Sequence, residues 1–315
     1  MKFILAPLAD FTDAPFRRMC FEGGADLCYS EMVSAAALAH GNSPTRHLME
    51  VMPGEGPVAC QIFGAREEDV AKAAREIDLI RDRFTELNLN AGCPMQRITR
   101  AGAGAKLIED PEKVYRLLKV MAENTSLPIT LKTRLGPRPG EDRIFELADA
   151  AEKAGAKGLI VHARYTSQMH GGEVHYGKLA EVVEHTSLPV IGNGSVKTAK
   201  DVANMAAAGV QGVMIGRASL ADPLIFAKLK NPTADIFSPW GEVSPAKMHL
   251  KYLLEFRELL VRSFPNDRIP SVDGFASVKM HIHLFRYFNS RPGAAALRAK
   301  LNSVRTLAET ETIIQ

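Results

Sequence analysis

Eight short apolar runs recur along the first 216 residues at intervals of roughly 30, and this rhythm leaves the chain few folds to choose from. They span 3–7, 26–32, 58–63, 86–91, 129–135, 158–164, 190–193 and 212–216. Runs such as Gly158-Leu159-Ile160-Val161 and Gly212-Val213-Met214-Ile215 show no apolar/polar alternation, as expected of parallel strands covered on both faces. The stretches between them, among them 67–83, 110–124 and 142–154, are rich in Ala, Glu, Lys and Arg with apolar residues at helical spacing. Asp110-Pro111 is a helix-start signal. Eight strand-helix alternations predict an α/β chain of the (β/α)8 TIM-barrel class, whose usual size is ~250 residues, whereas a doubly wound sheet rarely needs eight such units.

After Pro232 the rhythm stops. A Pro-containing connection, Phe237-Ser238-Pro239-Trp240, leads into sequence with helical patterning and no strands. The expected division is a catalytic barrel over 1–238 and an all-helical domain over 239–315. Helices are predicted over 245–263 and 271–289 and, after the break at Pro292-Gly293, over 294–307.

Composition removes several classes. With 315 residues, 46% of them hydrophobic and 24% charged, the chain is neither disordered nor fibrous. No apolar stretch approaches the ~18 residues that cross a bilayer, and Asp10 interrupts the N-terminal run before it could act as a signal sequence. A cytoplasmic, monomeric protein without a membrane partner is expected. Cys20, Cys28, Cys60 and Cys93 form no Cys-x-x-Cys pair, and the two imidazoles of His281 and His283, two apart, do not share a helix face, so no metal is expected.

In a barrel of this class the active site lies at the C-terminal ends of the strands, and side chains two apart share a face. Asn88 and Asn90 oppose Leu87 and Leu89 in the fourth strand, and Lys132 and Arg134 repeat the arrangement in the fifth. The third strand brings Gln61, the sixth His162 with Arg164 beyond it, and the seventh Asn193. Two or three positive charges in one cavity call for an electron-rich or anionic guest. The loops after strands seven and eight, Gly194-Ser195 and Gly216-Arg217, are where barrels commonly hold phosphate, because glycine admits close approach of backbone N–H groups and arginine adds a charge-assisted bond. Cys93 follows strand-end Asn90 on a loop at this face, whereas Cys60 lies inside a strand and reads as a small core residue. By position alone Cys93 is either an inert loop thiol or a general acid beside the cavity. Gly102 and Gly104 downstream let this loop move or pack closely.

These segments, with Leu5-Ala6-Pro7-Leu8-Ala9, Thr12-Asp13-Ala14-Pro15-Phe16-Arg17, Asn90-Ala91-Gly92-Cys93-Pro94, Lys132-Thr133-Arg134-Leu135-Gly136, Val161-His162-Ala163-Arg164 and Ile215-Gly216-Arg217-Ala218, resemble the tRNA-dihydrouridine synthases across the whole barrel and in order. The resemblance implies an enzyme that uses FMN and NADPH to reduce the C5–C6 double bond of selected uridines in tRNA. It implies that Pro7, Leu8 and Ala9 line the isoalloxazine, that Gln61 and Lys132 bond its pyrimidine edge, and that His162 contacts the cofactor. Asn193, Gly194, Ser195, Gly216 and Arg217 are implied to hold the phosphate. Cys93 takes the place of the general acid that protonates C5 after hydride passes from flavin N5 to C6, and Asn90, Arg134 and Arg164 hold the uracil edge. A lysine at that edge suits an anionic reduced flavin. The sequence departs from the family at Leu8, at Tyr165 with the Met169-His170-Gly171-Gly172 stretch, and at Ser195, which stands where an acidic residue is more usual.

Charge is segregated along the chain. From Trp240 onward there are 11 Lys and Arg against 7 Asp and Glu, net +4, while residues 1–239 carry 28 against 29, net −1. The 35 residues 274–308 contain no acid at all, yet include Lys279, Arg286, Arg291, Arg298, Lys300 and Arg305, interleaved with Phe275, Phe285, Tyr287 and Phe288. Such a strip either contacts phosphates and stacks on bases or is a solvated face with its aromatics in a small core. The resemblance implies that Lys279, Arg286 and Arg291 contact tRNA. Two other readings remain in view: an FMN barrel that reduces a free pyrimidine or other small unsaturated substrate, and an RNA-binding barrel without chemistry.

Overall fold

A computed structural model describes residues 1–288 and 294–314. Eight parallel strands close into a barrel in chain order: β1 (Lys2–Leu5), β2 (Leu27–Ser34), β3 (Val58–Phe63), β4 (Glu86–Ala91), β5 (Ile129–Arg134), β6 (Leu159–His162), β7 (Val190–Asn193) and β8 (Gly212–Ile215). The β1–β8 pairing completes the ring. Around it run α1 (Ala14–Glu22), α2 (Ala35–Ala39), α3 (Ser43–His47), α4 (Glu67–Asp78), α5 (Gln96–Thr99), α6 (Pro111–Asn124), α7 (Ile144–Lys153), α8 (Tyr176–His185), α9 (Ala199–Ala207) and α10 (Ile225–Lys230). Local chemistry starts several of these helices. Asp13 accepts from Phe16 N at 3.2 Å ahead of α1, and Asp110 accepts from Lys113 N at 2.9 Å ahead of α6, where Pro111 needs no donor partner. The expected 67–83 helix ends at Asp78, and Arg81–Arg83 form a separate 3-10 turn.

Apolar side chains of the strands face the helices and make the main core, in which Leu5, Ile62, Leu87, Leu89, Leu131 and Val161 are fully buried. The inward face carries a smaller apolar plug of Ile4, Ala6, Tyr29, Ala59, Ile160 and Met214. Register aligns the polar strand ends. Gln61 pairs with Asn88, Asn90 with Lys132, Arg134 with His162, and His162 with Asn193. Residues paired across neighbouring strands share a face, so these side chains form two tiers above the plug.

Beyond the barrel lie α11 (Pro245–Ser263), α12 (Val272–Tyr287), α13 (Ala294–Leu301) and α14 (Leu307–Ile314). Ser244 and Ser271 cap the first two. The expected single helix over 294–307 is two helices, because Thr306 and Glu309 form a reciprocal cap that starts a new one: Glu309 N donates to Thr306 Oγ1 at 3.2 Å and Thr306 N to Glu309 Oε2 at 3.0 Å. These helices share a second core with the barrel side, in which Leu250, Leu253, Phe256, Ala276, Met280 and Leu284 pack with Ala14, Met19 and Met52. Trp240 packs there as well, its Nε1 donating to Glu22 at 2.6 Å, and Tyr252 Oη donates to the same carboxylate at 2.9 Å. Each such side chain removed from water stabilises by ~1.5–3 kcal/mol, enough for a handful to fix the helices on α1. Among the described residues no helix is long and apolar enough to cross a membrane.

Candidate active site

A chain of hydrogen bonds rises through the barrel interior to the thiol loop. At its base Tyr29 Oη donates to Glu86, and Thr130 Oγ1 donates to the same oxygen at 2.9 Å. Asn88 Nδ2 donates to Thr130 Oγ1 at 2.8 Å, Gln61 Nε2 to Asn88 Oδ1 at 2.7 Å, and Asn90 Nδ2 to Gln61 Oε1 at 2.8 Å. Asn90 Oδ1 then accepts from both Gly92 N and Cys93 N at 3.0 Å, an Asx turn that sets the loop. Burial raises the Glu86 carboxyl against the lowering bonds from Tyr29 and Thr130.

The same loop is pinned from below and from the side. Ala105 N donates to Cys93 O at 2.9 Å. Gly104, at φ +59°, leaves room for that approach; a Cβ there would fall 2.6 Å from Cys93 O. A Cβ on Gly92 would stand 3.3 Å from the Thr133 backbone. Of the four cysteines Cys20, Cys28 and Cys60 are buried and only Cys93 is partly open.

Above this loop the mouth is cationic. Arg134 donates to Gly92 O at 2.8 Å and to Met169 O at 2.7 Å, bridging the loops after β4 and β6. Arg164 donates to Gly172 O at 2.9 Å and Ser195 Oγ at 2.8 Å, and Arg217 to His170 O at 3.1 Å. Lys132 Nζ donates to Asn193 Oδ1 at 3.2 Å, while Asn193 Nδ2 donates to Met214 O at 2.8 Å. Among the described residues no carboxylate pairs with Lys132, Arg134, Arg164 or Arg217, although most other arginines of the barrel have one.

The charges act on one another. Burial, then the Arg134 charge, draws Lys132 down to about 7 despite the opposite pull of Cys93, and burial draws Arg134 to about 10. Burial and the Arg134, Lys132 and Arg164 charges hold His162 far below the ordinary imidazole value, so it is neutral; the same causes bring the stacked His170 to about 4. Gly194 sits against His162, where a Cβ would lie 3.2 Å from the ring, and a Cβ on Gly216 would be 3.6 Å from Leu8.

Every non-glycine residue with positive φ among the described residues belongs to a loop of this face: Asp10 at 68°, Met169 at 52° and Ser195 at 52°. Each is held by a charged side chain. Glu31 Oε2 accepts from Asp10 N at 2.5 Å, Arg134 holds Met169 O, and Arg164 holds the Ser195 hydroxyl.

The structure therefore brings Gln61, Asn90, Cys93, Lys132, Arg134, His162, Arg164, Asn193, Gly194, Ser195 and Arg217 to one face, with Leu8 beside Gly216 at the edge. Pro7 and Ala9 flank Leu8 in the same half-buried loop after β1. Asn90 spends its amide on Gln61 and the thiol loop. Tyr165 turns its ring into the outer core, where Oη donates to Asp142 at 2.5 Å, and offers the site only its carbonyl. Lys279 is half-buried and its charge acts on Asp13 and Glu31, while Arg286 lies 5.6 Å over the Phe11 ring at the edge of the mouth. Arg291 lies outside the described residues. Phe275, Tyr287 and Phe288 are buried in the second core, so they do not offer faces to bases. The sequence assigns no site role to Met32, whose sulfur is 2.8 Å from Asn90 Nδ2, or to His170, which it marks only as part of the divergent Met169-His170-Gly171-Gly172 stretch.

Fold and site together define a (β/α)8-barrel enzyme with a partly open thiol beside an uncompensated cationic mouth. A family model described as dihydrouridine synthase matches residues 4–315, and the chain belongs to that family. It is 33% identical over 315 residues to a probable tRNA-dihydrouridine synthase of Helicobacter pylori, covering 98% of this chain and 88% of that one. It is 29% identical over 325 residues to probable tRNA-dihydrouridine synthase 1 of Synechocystis sp., covering 99% and 85%, and 32% identical over 241 residues to tRNA-dihydrouridine synthase B of Klebsiella pneumoniae, covering 76% and 74%. Among solved structures, TcOYE with pHBA (TM-score 0.54, 11% identity, 78% of this chain and 92% of that one) and morphinone reductase in complex with tetrahydroNAD (0.52, 15%, 78% and 90%) share the barrel fold.

Proposed function

We propose that the chain reduces uridine in tRNA to dihydrouridine with FMN as its cofactor and NADPH as reductant. The observation that carries this reading is the group of four cations at the mouth with no carboxylate among the described residues to pair them. A bound phosphate and an electron-rich ring would supply the missing negative charge. The donor set suits FMN: Gly194 and Gly216 are cradles that a Cβ would fill against His162 and Leu8, and Arg164 and Arg217 border the same loops. Asn193, Gly194, Ser195, Gly216 and Arg217 would hold the phosphate, Lys132 and Gln61 the pyrimidine edge, Pro7, Leu8 and Ala9 the ring face, and His162 the cofactor's flank. When bound, FMN supplies the hydride.

The chain's own residues do the rest. The Cys93 thiol gives its proton to uracil C5, and its position is set by Asn90 Oδ1 below and the Ala105 N–H to its carbonyl behind. Arg134 fixes the carbonyl of Gly92 next to the thiol and, with Arg164, orients the uracil edge. Turning the base out of the RNA costs a few kcal/mol, which contacts from the helical region, Lys279, Arg286 and Arg291 among them, must offset. In this reading 1–238 is the catalytic unit and 239–315 the RNA-holding one.

The test is incubation of the purified chain with FMN, NADPH and unmodified tRNA, read by mass spectrometry of nucleosides. Dihydrouridine is expected with tRNA, and none with free uridine. A flavin-loaded protein that reduces only the small substrate would favour the small-molecule reductase instead.

A further inference from the structure

Where the helical region meets the barrel, three side chains converge away from the mouth chemistry. Asp13 comes from the loop after β1, His249 from α11 and His283 from α12. All three are buried, and one ligating atom from each lies within 4.8 Å of the other two. Asp13 Oδ1 is committed to capping α1, but Oδ2 has no partner; neither has His249 Nε2 nor either nitrogen of His283. A fully buried imidazole with both nitrogens unmatched is costly in an apolar setting, and the rings of Phe11 and Phe16 pack against this one at 5.4 and 5.1 Å.

Nδ1 of His249 is 2.9 Å from Tyr287 Oη, whose hydroxyl reaches Met19 Sδ at 3.9 Å. With Nδ1 taken up by Tyr287, Nε2 is turned toward Asp13 Oδ1 at 3.9 Å, too far for a hydrogen bond. Asp13 Oδ2, His249 Nε2 and the two His283 nitrogens are thus buried together without partners, and an ion bound among them would supply one to each residue.

We propose that Asp13, His249 and His283 form a binding site for a divalent transition-metal ion of the zinc type, which ties the helical region to the barrel. Two neutral imidazoles and one carboxylate are a nitrogen-rich donor set that suits zinc and its neighbours rather than magnesium or calcium. Ligands at 2.0–2.1 Å around a tetrahedral ion stand about 3.3 Å apart. The His249–Asp13 separation of 3.9 Å and the 4.8 Å bound on all three atoms lie above that value, so the ligands draw together by about 0.5–1.5 Å on binding the ion. Tyr287 acts as the outer partner that orients His249. The ligands come from three distant segments, which is why the spacing of His281 and His283 gave no metal signal. His283 pairs across the seam, with His249 at 4.2 Å between ring centroids, and not along its own helix.

The experiment uses the full chain, stripped with a chelator and titrated with cobalt(II), followed by zinc competition. One equivalent of cobalt is expected, with the ligand-field absorption of a nitrogen-oxygen tetrahedral site that zinc abolishes, and zinc should raise the melting temperature. His283→Phe keeps an aromatic ring in the core and should lose the signal. Asp13→Asn keeps the cap of α1 and should weaken zinc at least about tenfold. No one-to-one cobalt signal in the unmodified chain overturns the proposal even if both variants misfold. So does an unchanged signal in folded His283→Phe, or a signal that disappears instead in Cys93→Ala, which would assign the ion to the thiol.

Discussion

The floor and the mouth of the barrel are built from the same strands but by opposite rules. On the floor, Tyr29, Glu86, Thr130, Asn88, Gln61 and Asn90 pass hydrogen bonds from one to the next, with donors and acceptors matched and one carboxylate that burial pushes toward neutrality. At the mouth, four cations crowd together, their partners among the described residues being carbonyl, amide and hydroxyl oxygens and the His162 ring, and three residues sit in the left-handed region. The floor is finished without a guest. On the proposed function the mouth is completed when negative charge arrives, and the bonds of Arg134 and Arg164 hold its loops for that guest.

Cys93 stands where the two regions meet, and its removal separates them most sharply. Cys93→Ala leaves the cations and the hydrogen-bond chain intact, so reduction of bound FMN by NADPH should continue. Formation of dihydrouridine should fall about 10²- to 10⁴-fold, the range for loss of a positioned proton donor. Single-turnover kinetics on unmodified tRNA measure both steps, and equal product from the variant removes Cys93 from the acid role.

Lys132 tests the claim that the mouth is strained when empty. Its folded value of about 7 lies below the unfolded 10.5, so between those limits Lys132 binds more protons in the unfolded chain and its contribution to stability rises with pH. Lys132→Met should abolish that rise in the cofactor-free protein and stabilise it at pH 7 by about 2–4 kcal/mol, an amount set by the size of the shift at 1.36 kcal/mol per pH unit and reduced for relaxation. The same variant should bind FMN more weakly. Urea melts of wild type and variant from pH 6 to 8, below the range in which unfolded thiols ionise, decide the matter; the same pH dependence in both would show that Lys132 is not under stress.

Asn90 asks whether the floor really sets the thiol. Asn90→Ala strands Gln61 Oε1 and the N–H groups of Gly92 and Cys93, at a cost of about 1–3 kcal/mol for buried groups left unmatched. The turnover number should drop about tenfold or more, with a smaller loss of FMN affinity, because the cations are untouched while Gln61 loses the donor that orients it. A variant with lower stability but full turnover would reduce Asn90 to a packing residue.

Much of this was legible before any coordinates. Strands buried on both faces read as unbroken apolar runs, so all eight were placed to within a few residues, and the period of two put Asn88 and Asn90 inward. That the polar ends share two tiers depends on register between strands, which no single run records. The basic strip was read for its charge, while the buried set Phe275, Ala276, Met280, Leu284 and Tyr287 already showed the spacing of a core-facing helical stripe. The break at Thr306 had a local signal too, the Thr-x-x-Glu cap, masked by good helix formers on both sides. Asp13, His249 and His283 had none, since only tertiary packing brings them together.

Arg217 is the mildest functional probe of the mouth. It is exposed and its one described bond goes to His170 O, so Arg217→Ala should fold normally. Loss of one charge-assisted contact to phosphate should weaken FMN about tenfold or more. Fluorescence titration at low and moderate salt measures it; an unchanged affinity would place the phosphate away from the loop after β8.

The smallest expected effect bears on the strained backbone. Met169 has φ 52° and an exposed side chain; its N–H donates to Thr166 O at 3.0 Å and Arg134 binds its carbonyl at 2.7 Å. Met169→Gly preserves that carbonyl and removes the Cβ penalty of the left-handed region, about 1–2 kcal/mol, while adding back about 0.5–1 kcal/mol of unfolded-chain freedom. The balance is a gain of about 0.5 kcal/mol with no change in FMN affinity, visible as a small rise in melting temperature. In an Arg134→Leu background the bond that holds the Met169 carbonyl is gone, and the gain should shrink. A gain of equal size in both backgrounds would mean that the loop after β6 prefers its shape unaided, and that the cations of the mouth do not hold its backbone under strain.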